Sequence, residues 1–348
     1  MNHPGNTPRM LLAAVLAAVF FWMLLPAAAE EADTAGAVRV GDILCFGAPD
    51  ADCGFDGRWR VLDSAHTNTG DDGWFVVSLS LIGDEQGQPL LFRDIGDVTV
   101  SFSDRGEAWA AAHPGAADYQ RSDIRQWCEA FLAGHLTAAE QAALLPAYKS
   151  DDGIAIPGFG IPLPGAAAGT VDFDPAERIL NGDRLFLLSA EEAVREEYGF
   201  PDNRSRVALY QGKAEGYWLR SPHIPTFPLD VGFVFSFGAV MDYPVNAKSM
   251  FSMNTYARPA CNLDRTKVTG LEKLSETGDT AIWRVTFEGD TPNERTYDLR
   301  LPVIGNVPDV QRILSIALPA GAALILILAA GGILLIVRHI RKKRSVTR

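Results

Sequence analysis

The feature that most restricts this chain is its uncharged run from Ile313 to Val337, about 25 residues. As a helix rising about 1.5 Å per residue it is long enough to cross a hydrocarbon core of about 30 Å. The tail after it, "RHIRKKRSVTR" at 338–348, is basic, and lysine and arginine at a membrane end mark the cytoplasmic side. The opposite end carries a matching signal. Arg9 is followed by apolar residues from Met10 to Leu25, then by Ala27, Ala28 and Ala29 before Glu30, the pattern of a cleaved secretory leader. The expectation is a single-pass cell-membrane protein with its N-terminus extracellular and its C-terminus cytoplasmic. Residues 1–29 are the signal peptide, 313–337 the transmembrane helix and 338–348 the tail. "LPVIG" at 301–305 and "LPAGA" at 318–322 resemble a sortase signal but lack its threonine, so anchoring by the helix is the reading.

Charge narrows the partners. Removing Arg9 and the six basic tail residues leaves 24 Lys and Arg against 43 Asp and Glu, near −19 for the remainder. Such a surface excludes nucleic acid as a natural ligand and suits solubility. The four cysteines, Cys45, Cys53, Cys128 and Cys261, all fall in the exported part. An even count in an oxidising compartment predicts two disulfides. Of the three pairings, the expected ones are Cys45–Cys53, which closes "CFGAPDADC", and Cys128–Cys261, which ties a helix to a late strand. With no C-x-x-C and no nearby histidine pair, no metal site is expected.

Periodicity divides 38–264 from 265–308. "VGDILCFG" and "RWRVLDS" read as a hairpin and "WFVVSLSLIG" as a buried strand. Ser122 caps a helix whose Ile124, Trp127, Cys128, Phe131 and Leu132 form one apolar stripe ending near Gly134. Thr137 and Glu140 form a capping box for a second helix to about Ala147, and Ser189 and Glu192 another for a helix to about Tyr198. Residues 150–175 read as a long Gly/Pro-rich loop with apolar Ile154, Ile156, Phe159 and Ile161. "GYWLRS" opens a β-rich run of antiparallel-meander spacing. Residues 265–308 alternate cleanly and predict a small membrane-proximal β unit.

The order of these pieces resembles an uncharacterised bacterial surface-domain family, a domain of unknown function. The resemblance covers about 40–264 and rests on "GDILCFG" with "WRVL", "SDIRQW" at 122–127, "FLLS" at 186–189, "WLRSP" at 218–222 and "RPA" at 258–260. It departs in placing Cys261 where a leucine is usual. The resemblance implies an α+β, C-type lectin-like ectodomain with an antiparallel sheet and two to three helices, a fold shared with formylglycine-generating enzymes. In that fold a disulfide often joins the first helix to the last strand, the places of Cys128 and Cys261. The family supplies no reaction.

No catalytic motif appears. H-E-x-x-H is absent, "FVFSFG" lacks the first glycine of a nucleophile elbow, and "PDN" at 201–203 is a turn rather than a calcium-lectin motif. No cofactor is implied. In "GYWLRSPH", Trp218 and Arg220 are expected to build the domain, as are Trp127 and Arg258. A ligand face is expected at Phe159, Tyr217, Ser221, His223 and Phe227, with His223 exposed in a loop. The functional expectation is a non-catalytic binding module for an extracellular glycan, peptide, protein or cell-wall component. The alternatives are an extracellular hydrolase whose site the sequence does not advertise, or a structural envelope protein.

Overall fold

The computed structural model describes residues 37–94, 115–157, 170–223, 230–245, 254–291 and 293–305. The described residues from Val40 onward belong to one compact unit. The leader-like segment, the apolar run at 313–337 and the basic tail lie outside the described residues.

The chain starts with β1 (Ile43–Cys45), β2 (Arg58–Asp63) and β3 (Trp74–Ser78), then α1 (Asp123–His135) and α2 (Ala138–Ala142). β4 (Leu144–Leu145), β5 (Ala147–Asp151), β6 (Ile154–Pro157), β7 (Thr170–Phe173), β8 (Ala176–Asp183) and β9 (Phe186–Leu187) follow. After α3 (Asn203–Arg206) come β10 (Ala208–Tyr210), β11 (Lys213–His223), β12 (Asp230–Val234), β13 (Val240–Pro244), β14 (Thr255–Tyr256) and β15 (Pro259–Leu263). β16 (Val268–Thr277) and β17 (Thr280–Phe287) end the series.

Two sheets carry the fold. The larger runs β16-β17-β1-β2-β3-β15-β4, with β9 also on β15; the smaller runs β10-β11-β12-β13, with β14 on β11. β5–β8 and β6–β7 are separate two-stranded pairs. The sheets are mixed, because β1 runs parallel to β17 and β11 parallel to β14. That parallel pairing makes the 268–287 hairpin the edge of the main sheet.

Burial explains these strands. All five residues of β3 and all five of β15 are buried, as fits strands inside a sheet covered on both faces. On β2, Trp59 and Val61 point inward, and Trp59 stacks on Phe46 at 5.0 Å while its indole N–H donates to the Phe46 carbonyl at 3.2 Å.

The expected α+β, lectin-like fold is corrected to a mostly β one. Among the described residues there are seventeen strands and three short α-helices. Local competition explains the missing helix. The Ser189–Glu192 capping box does form, Ser189 Oγ accepting from Glu192 N at 3.0 Å and Glu192 Oε2 from Ser189 N at 2.9 Å. It leads only into two single 3₁₀ turns, Glu192–Val194 and Glu196–Tyr198. α2 keeps its Thr137–Glu140 box but stops at Ala142, because Leu144 and Leu145 pair with β15. Residues 150–175 are not one loop: β5 ends there and β6 pairs with β7, with 158–169 outside the described residues. No helix among the described residues is long and apolar enough to cross a membrane, so the single-pass helix finds no support in the described fold.

Candidate functional site

The strand "GYWLRSPH" is the centre of a buried charge network. From Gly216 to His223 every residue of β11 is buried. Arg220, with no exposed surface, donates from Nη1 to the Leu187 carbonyl and to Glu192 Oε2, both at 2.7 Å. Its Nη2 donates to Asp151 Oδ1 at 2.8 Å and to Glu192 Oε1 at 3.0 Å. Glu192 accepts three further bonds, from Ser189 N, Asn68 Nδ2 and Lys149 Nζ. Asn68 and Asn262 continue the network through a reciprocal pair of bonds at 3.0 and 2.8 Å.

Electrostatics separates the two acids. Burial alone would raise the Glu192 carboxyl, but the charges of Arg220 and Lys149 outweigh it and hold the group well below its ordinary 4.5. Asp151 is raised above 3.8, by burial first, against the pull of Arg220. Its Oδ2 is buried without a hydrogen-bond partner. Carboxylates pushed apart in this way can divide acid and base roles. Here, however, Glu192 has no exposed surface and Asp151 is only 5 % exposed. The network is architectural: it ties β5, the turn after β9, and β11 together.

This arrangement relocates the predicted ligand face. Tyr217 donates its hydroxyl to the Arg206 carbonyl at 3.0 Å, and Ser221 Oγ accepts from Ala190 N at 2.9 Å, both as interior residues. His223 is not an exposed loop residue. It ends β11, is 8 % exposed, and sits edge-on to Phe173 with ring centroids 6.0 Å apart. Phe159 and Phe227 lie outside the described residues. Trp218 is fully buried, donating to the Leu90 carbonyl at 2.8 Å and packing on Phe92 and Phe233. Trp127 is only half-buried, stacked on Phe131 at 5.0 Å.

The expected disulfides are likewise corrected, since all four cysteines are free and buried. Cys45 packs with Ile43, Ile282 and Tyr297, whereas Cys53 Sγ faces the Asp50 carbonyl at 3.6 Å and His135 Nε2 at 3.9 Å. The two thiols thus serve different surroundings. Cys128 lies against Tyr119 beneath α1, while Cys261 sits within the main sheet opposite Val76.

Open surface appears at a different place. A cavity of about 260 Å³ lies at the edge between the two sheets. Ile43, Leu79, Val207 and Leu209 give it an apolar wall, Leu301 and Pro302 a rim, and Arg60 and Arg258 its charge. Both guanidiniums lie over Phe200, their Cζ atoms 5.1 and 5.8 Å from the ring centroid. Arg60 donates to the Gly199 carbonyl at 2.9 Å; Arg258 donates to the Ser78 carbonyl at 3.1 Å and the Tyr217 hydroxyl at 3.1 Å. Arg206 nearby donates to the carbonyls of Gly238 and Phe200 and to the Asn203 side chain. Among the described residues, no carboxylate lies within ion-pair distance of these three arginines. Burial first, and the like charge of Arg258 second, lower the Arg60 guanidinium to about 10. It stays protonated at neutral pH, so the cavity is a cationic spot on a strongly acidic protein.

The sequence carries one signal for this spot. In "RWRVLD" two arginines alternate within a strand whose other residues are mostly apolar, and a cation on a sheet strand needs a partner or a ligand.

Fold and site together define a β-rich domain with a sealed internal ion network and an arginine-lined surface cavity. Residues 86–265, just over half of the chain, match a family described as Domain of unknown function (DUF6273), and the chain belongs to that family. The matched span includes α1, the smaller sheet and β15, and leaves out β1–β3 and β16–β17. The curated proteins and the solved structures yield no match to this chain.

Proposed function

We propose that this protein is a non-catalytic binding module of the cell surface, holding the anionic end of a glycan, peptide or cell-wall fragment in the Arg60–Arg258 cavity. The observation that carries the reading is the pair of guanidiniums lining one cavity with no carboxylate among the described residues to neutralise them. A planar guanidinium fork matches a carboxylate or phosphate, and the apolar wall would take the adjoining carbon skeleton. The volume suits one terminal group rather than a long chain. The leader-like residues 1–29 support a place outside the cytoplasm. The binding reading is preferred to a hydrolase because, among the described residues, the carboxylates with opposed shifts near "GYWLRSPH", Asp151 and Glu192, are sealed from solvent. The first hairpin is part of the same functional unit on this reading, because Arg60 comes from β2 and Arg258 from the turn before β15.

The test is calorimetric titration of the full chain with cell-wall peptides and uronic-acid oligosaccharides, each paired with its methyl ester or amide. Binding of the free acid, with at least about tenfold loss on esterification or in Arg60→Met, is the expected result, since a charge-assisted bond is worth about 1.5–3 kcal/mol. Equal affinity for acid and ester would overturn the anion-binding reading. Turnover of the ester without acid binding would favour the hydrolase.

A further inference from the structure

We infer that Asp50, Cys53 and His135 form a binding site for a divalent transition-metal ion of the zinc type, with one coordination position open to water. The three side chains come from two segments over eighty residues apart. Asp50 and Cys53 lie in the loop between β1 and β2, where Asp50 N donates to the Phe55 carbonyl at 2.7 Å. His135 is the last residue of α1. One ligand atom from each lies within 4.8 Å of the others.

The orientation of His135 supports this reading. Its Nδ1 lies 3.2 Å from the Phe131 carbonyl, which can only accept, so Nδ1 carries the proton. The ring is fixed by stacking on Phe131 at 4.2 Å and by the edge contact with Phe55 at 6.0 Å. Nε2 therefore turns its lone pair toward Asp50 Oδ2 at 3.2 Å and Cys53 Sγ at 3.9 Å. Metal-bound histidines are held in this way, one nitrogen on a backbone carbonyl and the other on the metal. Three electron-rich atoms converge on one point. A single proton on Nε2 can bridge only one of the two contacts, whereas a metal ion satisfies all three.

The spacing fits. Tetrahedral zinc with ordinary bond lengths separates its nitrogen and oxygen ligands by about 3.3 Å and its sulfur and nitrogen ligands by about 3.5 Å. The nitrogen–oxygen distance of 3.2 Å already matches, the nitrogen–sulfur distance of 3.9 Å has to close by a few tenths of an ångström, and the sulfur and a carboxylate oxygen start within 4.8 Å of each other. A thiolate and a carboxylate balance a divalent charge, and a soft thiolate with an imidazole selects zinc over magnesium or calcium. Binding expels the Cys53 proton to solvent, one per metal ion. The side chains of Asp50 and His135 are 38 % and 19 % exposed, so water reaches the fourth position. This site is separate from the arginine cavity and independent of any ligand held there.

The test is titration of Co(II) into the full, chelator-treated chain, followed by displacement with Zn(II). One cobalt per chain, with a thiolate-to-metal charge-transfer band that zinc abolishes, is expected. Cys53→Ser should remove the band and weaken zinc binding by more than the roughly 10–100-fold that loss of an outer-shell partner costs a metal site. Asp50→Asn, at a partly exposed position that leaves folding intact, should retain the band and weaken binding. Cys261→Ser, inside the sheet, should change neither. Absence of a thiolate band, or a band that survives Cys53→Ser in a folded protein, overturns the assignment.

Discussion

The guanidinium of Arg220 grips the carboxylate of Glu192 through two hydrogen bonds, 2.7 and 3.0 Å long, where neither residue has any exposed surface. Separated, each would be a charge in a low-dielectric interior, and removing one partner of such a pair costs about 3–5 kcal/mol. Arg220→Met leaves Glu192 and Asp151 facing each other with only Lys149 to compensate. In a domain of this size that loss should lower the melting temperature by roughly 10 °C. Differential scanning calorimetry of the variant measures it, and a shift within about 2 °C would show that the network adds little.

The same carboxylate fixes the acid limb of the stability curve. Glu192 titrates far lower folded than unfolded, so its contribution is complete above its ordinary 4.5 and is lost as pH falls below it toward the folded value. Asp151 works in the opposite sense. Its folded value lies above the ordinary 3.8, so its penalty sets in as pH rises through 3.8 and stays constant above the folded value. Glu192→Gln should therefore flatten the loss of melting temperature between pH 5 and pH 3 and destabilise strongly at pH 7. Asp151→Asn should cost less at pH 7 than Glu192→Gln, because the neutral amide escapes the burial penalty that raises the Asp151 carboxyl, whereas Glu192 loses a charge that its partners stabilise. Acid limbs of equal slope in Glu192→Gln and the parent would contradict the assignment.

How far the sequence reveals these features depends on how local each one is. The caps at Ser122 and Thr137 and the strands of "WFVVS" and "RTYDLRL" differ in this respect. Capping involves residues three apart, and both caps are formed as read. β3 is a continuous apolar run and is a strand, whereas 296–301 alternates just as cleanly yet is not assigned to any strand. Long-range partners decide that outcome: Tyr297 is taken up by Asn293 and the Gly47 carbonyl, and the carbonyls of Asp298 and Arg300 accept from Arg58. The helix expected after Ser189 fails for a related reason, because Glu192 serves partners on β5 and β11 that no local window contains. The metal-ligand trio and the Arg60–Arg258 cavity escaped for the same cause. Each joins segments whose separation in sequence is about eighty residues or more, so that even where one half is conspicuous, as in "RWRVLD", its partner is not.

The thiols supply a third expectation. Burial pushes Cys45 up to about 12 and Cys53 to about 11, and raises Cys128 and Cys261 further still. At pH 8 almost none of the reactive thiolate is present, and Cys45, Cys128 and Cys261 are fully covered. A maleimide pulse should leave these three unlabelled in the native protein and label all four after denaturation without reductant. Cys53, beside the partly exposed Asp50 and His135, should be the first to react. A cross-linked Cys128–Cys261 peptide in a non-reduced digest would contradict the structure.

Gly238 joins the turn between β12 and β13 to the wall of the cavity. Its φ is +84°, and a Cβ built there would fall 1.6 Å from the Asn203 carbonyl oxygen and 2.5 Å from its carbon. Both are backbone atoms at the start of α3, so no side-chain rotation can relieve the overlap. The Gly238 carbonyl accepts from Arg206 Nε at 2.8 Å, and Ser205 and Val207 beside it line the cavity. Gly238→Ala must displace α3, at a cost of about 3 kcal/mol from overpacking and backbone strain together. Gly212 provides the comparison: its φ is +82°, with nothing within 4 Å of an added Cβ. Gly212→Ala should cost only about 1–2 kcal/mol, the strain of a left-handed backbone carrying a side chain. Urea unfolding of the two variants separates these effects. Because only Gly238→Ala moves residues at the cavity, it alone should also weaken capture of an anionic ligand, and equal losses in both variants would argue that α3 and the cavity are not coupled.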